Sequence, residues 1–562
     1  MKSSINLCYI LVLLLVGACN QEIFVPPPCD PNAAGSLCPP PPVVCPADAT
    51  AGNADFTKFV AVGNSLVAGV QGGALFTAGQ NNSLPAILNN QFACVGAPAT
   101  FVQPTIGASL GYNLFITQPF LADNTKPILG RLQLQVGPGI VCKEPGVPIA
   151  GKTTRPAPQA YTPGNLEALP NPAANPGFLY TGGKATLNNF GVPAIVLGQA
   201  LIPETGDWAG AGADPRFSPF YGRLAYPGTG TSTIIGDVAA SAPSFFLFYL
   251  GLDDFFLYAA FGADPAKAPL TSGPAFAGQY GAAIGALLGS NPNLKGVVGN
   301  FPDIFLMPHF TSVTYNPIPL GAADATALNA GFAGYNAALD GLIANKGAFG
   351  ISDELAAEIG GRKATFAAGC ENKILLLDET LTDLGDYFDG LLGVGAINAT
   401  QRAQLVPYEQ VRQSTAADVF PLSTGSILGT AGTFGLLGVS EPIGDQYAIV
   451  PAEKAEITAA RLAFNAAVKA TADANPTRLA LADIDAALNA LIAARAGVYN
   501  GVTITPNINP PTGIYSEDGV HPNARGYAFL SRVFIQAINT TFAAKVPLTD
   551  ISKYGATGLP LP

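Results

Sequence analysis

Short runs that are apolar at almost every position are the clearest structural signal in this chain. They lie at Phe56 to Gly63, Ser244 to Gly251, Lys295 to Gly299 and Leu479 to Asp483, and each leads into a loop or a helix-like stretch. Strands with little polar alternation suit a parallel sheet covered on both faces. A period near 3.6 marks a helix over Ala327 to Ala344, where Leu328, Phe332, Tyr335, Leu339 and Leu342 share a face, and further helices over Ala452 to Ala472 and Ile484 to Ala494. Strands alternating with helices predict an open, doubly wound α/β sheet.

Two stretches break the rhythm. Residues 97–180 are rich in Pro, Gly and Asn, and residues 350–450 carry Gly-rich turns around Gly425 to Gly438. Irregular segments of that length are usually functional or packed loops, and both are read as insertions at the rim of the sheet. No internal repeat of fixed period is found. The apolar segment Ser244 to Gly262 has Asp253 and Asp254 in its middle, where a bilayer would penalise them; it reads as a strand, a turn at Gly251 to Asp254 and a helix start.

The length of 562 residues allows several domains, but one large α/β unit with insertions accounts for it. Charged residues make up 12% of the chain, against roughly 25% in an ordinary soluble domain, and there are 64 glycines and 49 prolines, so many loops are expected. A net charge of −11 without a Lys/Arg cluster excludes the basic footprint that nucleic acid requires.

The first residues form a separate unit: Lys2, an apolar stretch from Ile10 to Val16, then Gly17-Ala18-Cys19. Val16-Gly17-Ala18-Cys19 resembles the lipobox of bacterial lipoproteins. The resemblance implies a signal peptide over residues 1–18, lipid on Cys19, and a protein held in the cell envelope, at the outer membrane, through that anchor. A plain secretion signal is the other reading; the apolar stretch is too short for the ~20 residues of a membrane span. Residues 19–53, with four prolines at 39 to 42, read as a semi-rigid tether. The folded domain is expected over 54–550, with a tail at 551–562. In an oxidising compartment Cys29, Cys38, Cys45, Cys94, Cys142 and Cys370 allow up to three disulfides, with pairing open; Cys94 and Cys370 read equally well as buried thiols.

The chemistry concentrates in two motifs far apart in sequence. Gly63-Asn64-Ser65-Leu66 follows the first apolar run, and Asp518-Gly519-Val520-His521-Pro522 holds one of only two histidines. Singly, Ser65 is an ordinary helix cap and His521 an ordinary surface histidine. Together they supply a hydroxyl, an imidazole to take its proton and a carboxylate to orient the imidazole. His309, without a nearby carboxylate, reads as a loop residue or pocket wall. No metal-ligand spacing occurs, and neither metal nor cofactor is expected.

In order along the chain, Gly63-Asn64-Ser65-Leu66, Asn189-Phe190-Gly191, Gly251-Leu252-Asp253-Asp254 and Asp518-x-x-His521 resemble the blocks of the SGNH, or GDSL-type, esterase and lipase family. The resemblance implies a three-layer, flavodoxin-like α/β/α fold with a parallel sheet and long loop insertions. It also implies Ser65 as nucleophile, His521 as general base and acid, and Asp518 as the orienting group. The oxyanion donors would be the N–H of Ser65, the N–H of Gly191 and the side chain at position 253. The family has Asn there, whereas an ionised Asp253 only accepts hydrogen bonds. A protonated Asp253, Asn64 or Asn189 are the alternative donors. The expected activity is cleavage of carboxylic esters, either lipid esters or acetylated glycans, outside the carboxyl ends of the strands. The alternative is a non-catalytic envelope or glycan-binding lipoprotein that retains the fold.

Overall fold

The computed structural model describes residues 43–107, 111–113, 129–143, 147–160, 179–211, 213–225 and 230–557. The lipobox with Cys19, the tether up to residue 42 with Cys29 and Cys38, and the last residues of the tail lie outside them. Five strands form the central sheet: β1 Phe59–Gly63, β2 Asn189–Gly191, β3 Phe245–Tyr249, β4 Lys295–Gly299 and β5 Leu479–Ala482. All are parallel, in the order β2-β1-β3-β4-β5. The chain therefore winds outward from β1 to β2, then crosses back to lay β3 on the other side of β1. That reversal opens a crevice at the carboxyl ends of β1 and β3.

The principal helices are α1 Ser65–Ala68, α2 Leu84–Phe92, α3 Asp253–Ala260, α4 Gly273–Ser290, α5 Ala322–Ala344, α6 Pro451–Asp473, α7 Ile484–Ala494 and α8 Ala524–Phe542. Both faces of the sheet are covered, which is why its strands are apolar at successive positions. Side chains alternate along β3. Phe245 and Tyr249 turn to Phe542 and Phe534 of α8, at ring separations of 5.8 and 5.9 Å. Phe248 turns the other way, to Tyr280 of α4 at 5.3 Å. On that second face α4 and α6 lock together through Phe276 and Phe464, stacked at 3.9 Å. The segment Ser244 to Gly262 resolves into β3, a turn and α3. Among the described residues no helix is long and apolar enough to cross a membrane.

The two insertions differ from the sequence reading. Within 97–180, residues Leu129–Lys143 and Val147–Ala160 form a long antiparallel hairpin instead of irregular loop. Its prolines obscure the signal; Pro156 and Pro158 sit opposite Leu134 and Leu132. A two-stranded ribbon consists only of edges, so proline's missing N–H is tolerated there. The second insertion starts earlier than residue 350. Val313 already pairs with Phe420, and α5 packs its Phe332, Leu339 and Leu342 with Leu375, Phe388 and Val411 into a hydrophobic core distinct from that of the sheet. The periodic helix expected over 327–344 thus belongs to an inserted lobe and does not cover the sheet.

Cys45 pairs with Cys94, tying the end of the tether to the α/β unit, and Cys142 of the hairpin pairs with Cys370 of the inserted lobe. The reading of Cys94 and Cys370 as buried thiols is corrected: both are disulfide-bonded.

Candidate functional site

β1 ends at Gly63, and the next residue sets up a one-turn helix. Asn64 is its N-cap: the backbone is extended (φ −89°) and its Oδ1 accepts from Leu66 N at 3.2 Å. Ser65 is therefore the first helical residue and not the cap. The turn closes at once because Gly69 adopts a left-handed conformation (φ 88°), which favours glycine. The short helix α1 thus holds Ser65 at the carboxyl end of β1, beside the end of β3, where Asn64 N donates to Tyr249 O.

His521 arrives from the other end of the chain, on the turn before α8. Ser516 N donates to His521 O at 2.8 Å, and Asn523 caps α8 by accepting from Gly526 N. His521 Nε2 lies 2.8 Å from Ser65 Oγ, and its Nδ1 lies 2.8 Å from Asp518 Oδ2. All three side chains are buried. Asp518 also accepts from three backbone N–H groups: Val520 and His521 donate to Oδ1 at 2.8 Å each, and Gly73 donates to Oδ2. Burial opposes ionisation of Asp518, but the His521 imidazole and these backbone donors outweigh it and hold the carboxyl below the usual carboxylate range. A carboxylate on Nδ1 fixes the tautomer that leaves Nε2 free to accept a proton from Ser65.

His309 supports this turn from behind. Its Nδ1 lies 2.9 Å from Asp518 O and its backbone N–H donates to Gly519 O at 3.0 Å. Burial pulls its pKa down, which keeps it neutral. Gly519 is left-handed (φ 73°), and a side chain there would meet the His309 backbone.

The inner two motifs end up near Ser65, each with its own internal partners. Gly191 does not offer its N–H to an oxyanion: that N–H donates to Asn189 Oδ1 at 2.8 Å. A Cβ at Gly191 would run into the backbone of Val67 and Ala68, so this glycine lets β2 approach α1. Asn189 is likewise committed, its Nδ2 donating to Val67 O at 3.0 Å and to Gln103 Oε1 at 3.3 Å.

Asp253 opens α3 at the carboxyl end of β3 and is 4% exposed. Burial pushes its pKa up to about 7, against the Asn64 side chain, the His521 charge and the Ile195 backbone N–H, while Asp254 adds to the rise. Its Oδ2 and the Asn64 Nδ2 are both buried without a hydrogen-bond partner among the described residues. Asp254 is a structural brace: Oδ2 accepts from Leu197 N at 2.7 Å and Oδ1 from Thr271 Oγ1 at 2.8 Å. Between β2 and Leu197 the chain turns through Ala194 at φ 52°, a left-handed conformation that alanine rarely adopts.

A cavity of about 1450 Å³ lies elsewhere, between the hairpin (Gly139, Thr153) and the inserted lobe (Phe332, Tyr335, Tyr408). None of Ser65, Asp518 and His521 lines it. A small cavity of about 20 Å³ sits beside them, against Leu66, Tyr249, Tyr515 and Val520. The second is the one next to the Ser65–His521 pair: Leu66 and Pro522, the residues that follow Ser65 and His521, line it. Far from both motifs in sequence, Glu379, Asp445 and Glu453 bring carboxylate oxygens within 4.8 Å of one another. One Glu453 oxygen accepts from Val450 N. No sequence spacing announced this cluster.

Comparison with protein-family models, with curated proteins and with solved structures returned no match.

Proposed function

We propose that this protein is a serine hydrolase of the SGNH type that cleaves carboxylic esters through an acyl-enzyme on Ser65. The observation that carries the proposal is the continuous relay from Ser65 Oγ to His521 Nε2 and from His521 Nδ1 to Asp518, with 2.8 Å at both steps. A buried serine, a buried imidazole and a buried carboxylate, drawn from opposite ends of the chain, have little structural purpose in that alignment. The strand order β2-β1-β3-β4-β5 supports the flavodoxin-like reading of the fold, and the Ser65 and Asp253 turns lie at the strand ends where such sheets bind ligands.

In the proposed cycle His521 takes the Ser65 proton as Oγ attacks the ester carbonyl carbon. The tetrahedral intermediate collapses, the C–O bond to the alcohol breaks, and His521 returns the proton to the leaving oxygen. Water then attacks the acyl-enzyme with His521 again as base, releasing the acid and restoring Ser65. Asp518 stays ionised throughout. The ester is a lipid ester or an acetylated glycan, and the protein acts in the bacterial envelope, anchored through Cys19. The two disulfides support an oxidising compartment.

Labelling with a fluorophosphonate tests the proposal. The wild type is expected to react and Ser65→Ala is not. Equal labelling of the two, or none of either, overturns it and favours a ligand-binding lipoprotein.

A further inference from the structure

We infer that the Asn64 side-chain amide is the side-chain donor to the oxyanion, taking the role that the resemblance would give to position 253. The inference rests on the hydrolase reading of Ser65 and follows by elimination among groups around that residue. Gly191 N–H and Asn189 Nδ2 are spent on internal acceptors, and Val192 N–H donates to Gly63 O at 2.9 Å. Asp253 is set against the Asn64 amide, and above about pH 7, where it is ionised, it has no proton to give.

Asn64 is different. Its side chain is fully buried, and its Oδ1 is held by Leu66 N, which fixes the orientation of the amide. The Nδ2 that this orientation leaves over makes no hydrogen bond of ordinary geometry among the described residues; the group that acts on it is the Asp253 carboxyl. A buried donor left open is rare in native proteins and calls for an explanation. Beside a nucleophile the explanation is an acceptor that arrives with the substrate and gains charge as the reaction proceeds. Asn64 is the residue immediately before Ser65, so cap and nucleophile are carried on one rigid turn. The backbone N–H of Ser65 is the second donor that the resemblance implies.

The test uses the full-length protein and p-nitrophenyl acetate. Asn64→Ser and Asn64→Gly both keep an acceptable N-cap but lack the amide. Each is expected to lower kcat by about 10²- to 10³-fold with KM little changed, because the lost bond strengthens only in the transition state. Melting curves close to wild type separate this from a capping effect, and either variant alone suffices if the other fails to fold. A folded Asn64→Ser or Asn64→Gly with wild-type kcat overturns the inference while leaving the hydrolase reading intact. Absence of Ser65-dependent labelling in the wild type overturns both.

Discussion

The backbone N–H of Gly73 donates to Asp518 Oδ2, the same oxygen that accepts from His521 Nδ1. The loop after Ser65 thus helps to hold Asp518, from the other end of the chain. With Val520 and His521 N–H on Oδ1, the carboxylate is surrounded by donors. Asp518→Asn would turn an NH₂ group toward at least one of them. The expected result is a loss of about 10⁴-fold in kcat through the wrong imidazole tautomer. A stability loss of about 1–3 kcal/mol should accompany it, from the donor left unpaired. Ester turnover and thermal melting check the two effects separately.

Asp253 makes stability depend on pH in a definite direction. Its carboxyl titrates near 3.8 when unfolded and at about 7 when folded, so the native state holds the proton over that window. The stability this contributes is present in full below pH ~4 and is lost as pH rises through ~7. Asn64, His521, Asp254 and the Ile195 N–H are the groups that act on it. Asp253→Asn removes the titration and should be more stable than wild type above neutrality, by on the order of 4 kcal/mol, with the difference vanishing near pH 4. Parallel melts at pH 4 and pH 8 measure it; a pH-independent difference would contradict the assignment.

Much of the fold was legible because β1, β3, β4 and β5 are buried on both faces and therefore apolar at nearly every position. β2 was not recognised as a strand, having only three residues that begin with Asn189. The hairpin was hidden by prolines that a ribbon accepts and a central strand does not. The helix α5 was seen, but nothing in its periodicity says whether it faces the sheet or a separate core. The Ser65, Asp518 and His521 grouping was readable because its members sit in compact motifs at a strand end and a tight turn. The engagement of Gly191 by Asn189 was not, because a side chain two residues back competes for the N–H only in three dimensions. The open amide of Asn64 likewise emerges only once its cap is seen.

Gly191 acts by lacking a side chain. Gly191→Ala would place a Cβ against Val67 C and Ala68 N, and these are backbone atoms that cannot swing aside. The variant should lose about 1–3 kcal/mol by overpacking and displace α1, and Ser65 with it, lowering turnover although the hydroxyl is kept. A Gly191→Ala protein whose melting curve and crystal structure match the wild type would remove this role.

The Cys142–Cys370 bond tests how far the hairpin governs the site. One end of the hairpin touches the Gly73 loop, where Leu132 N donates to Gly72 O at 2.7 Å; the other is fastened to the inserted lobe by the disulfide. None of the bonds that align Ser65, His521 and Asp518 passes through the hairpin itself. Cys142→Ser should therefore cost about 2–4 kcal/mol in stability and expose residues 129–160 to limited proteolysis. Ser65 should still label with a fluorophosphonate at close to the wild-type rate. Loss of labelling in a folded Cys142→Ser protein would instead show that the fastened hairpin sets the position of Gly72 and Gly73, and through Gly73 that of Asp518.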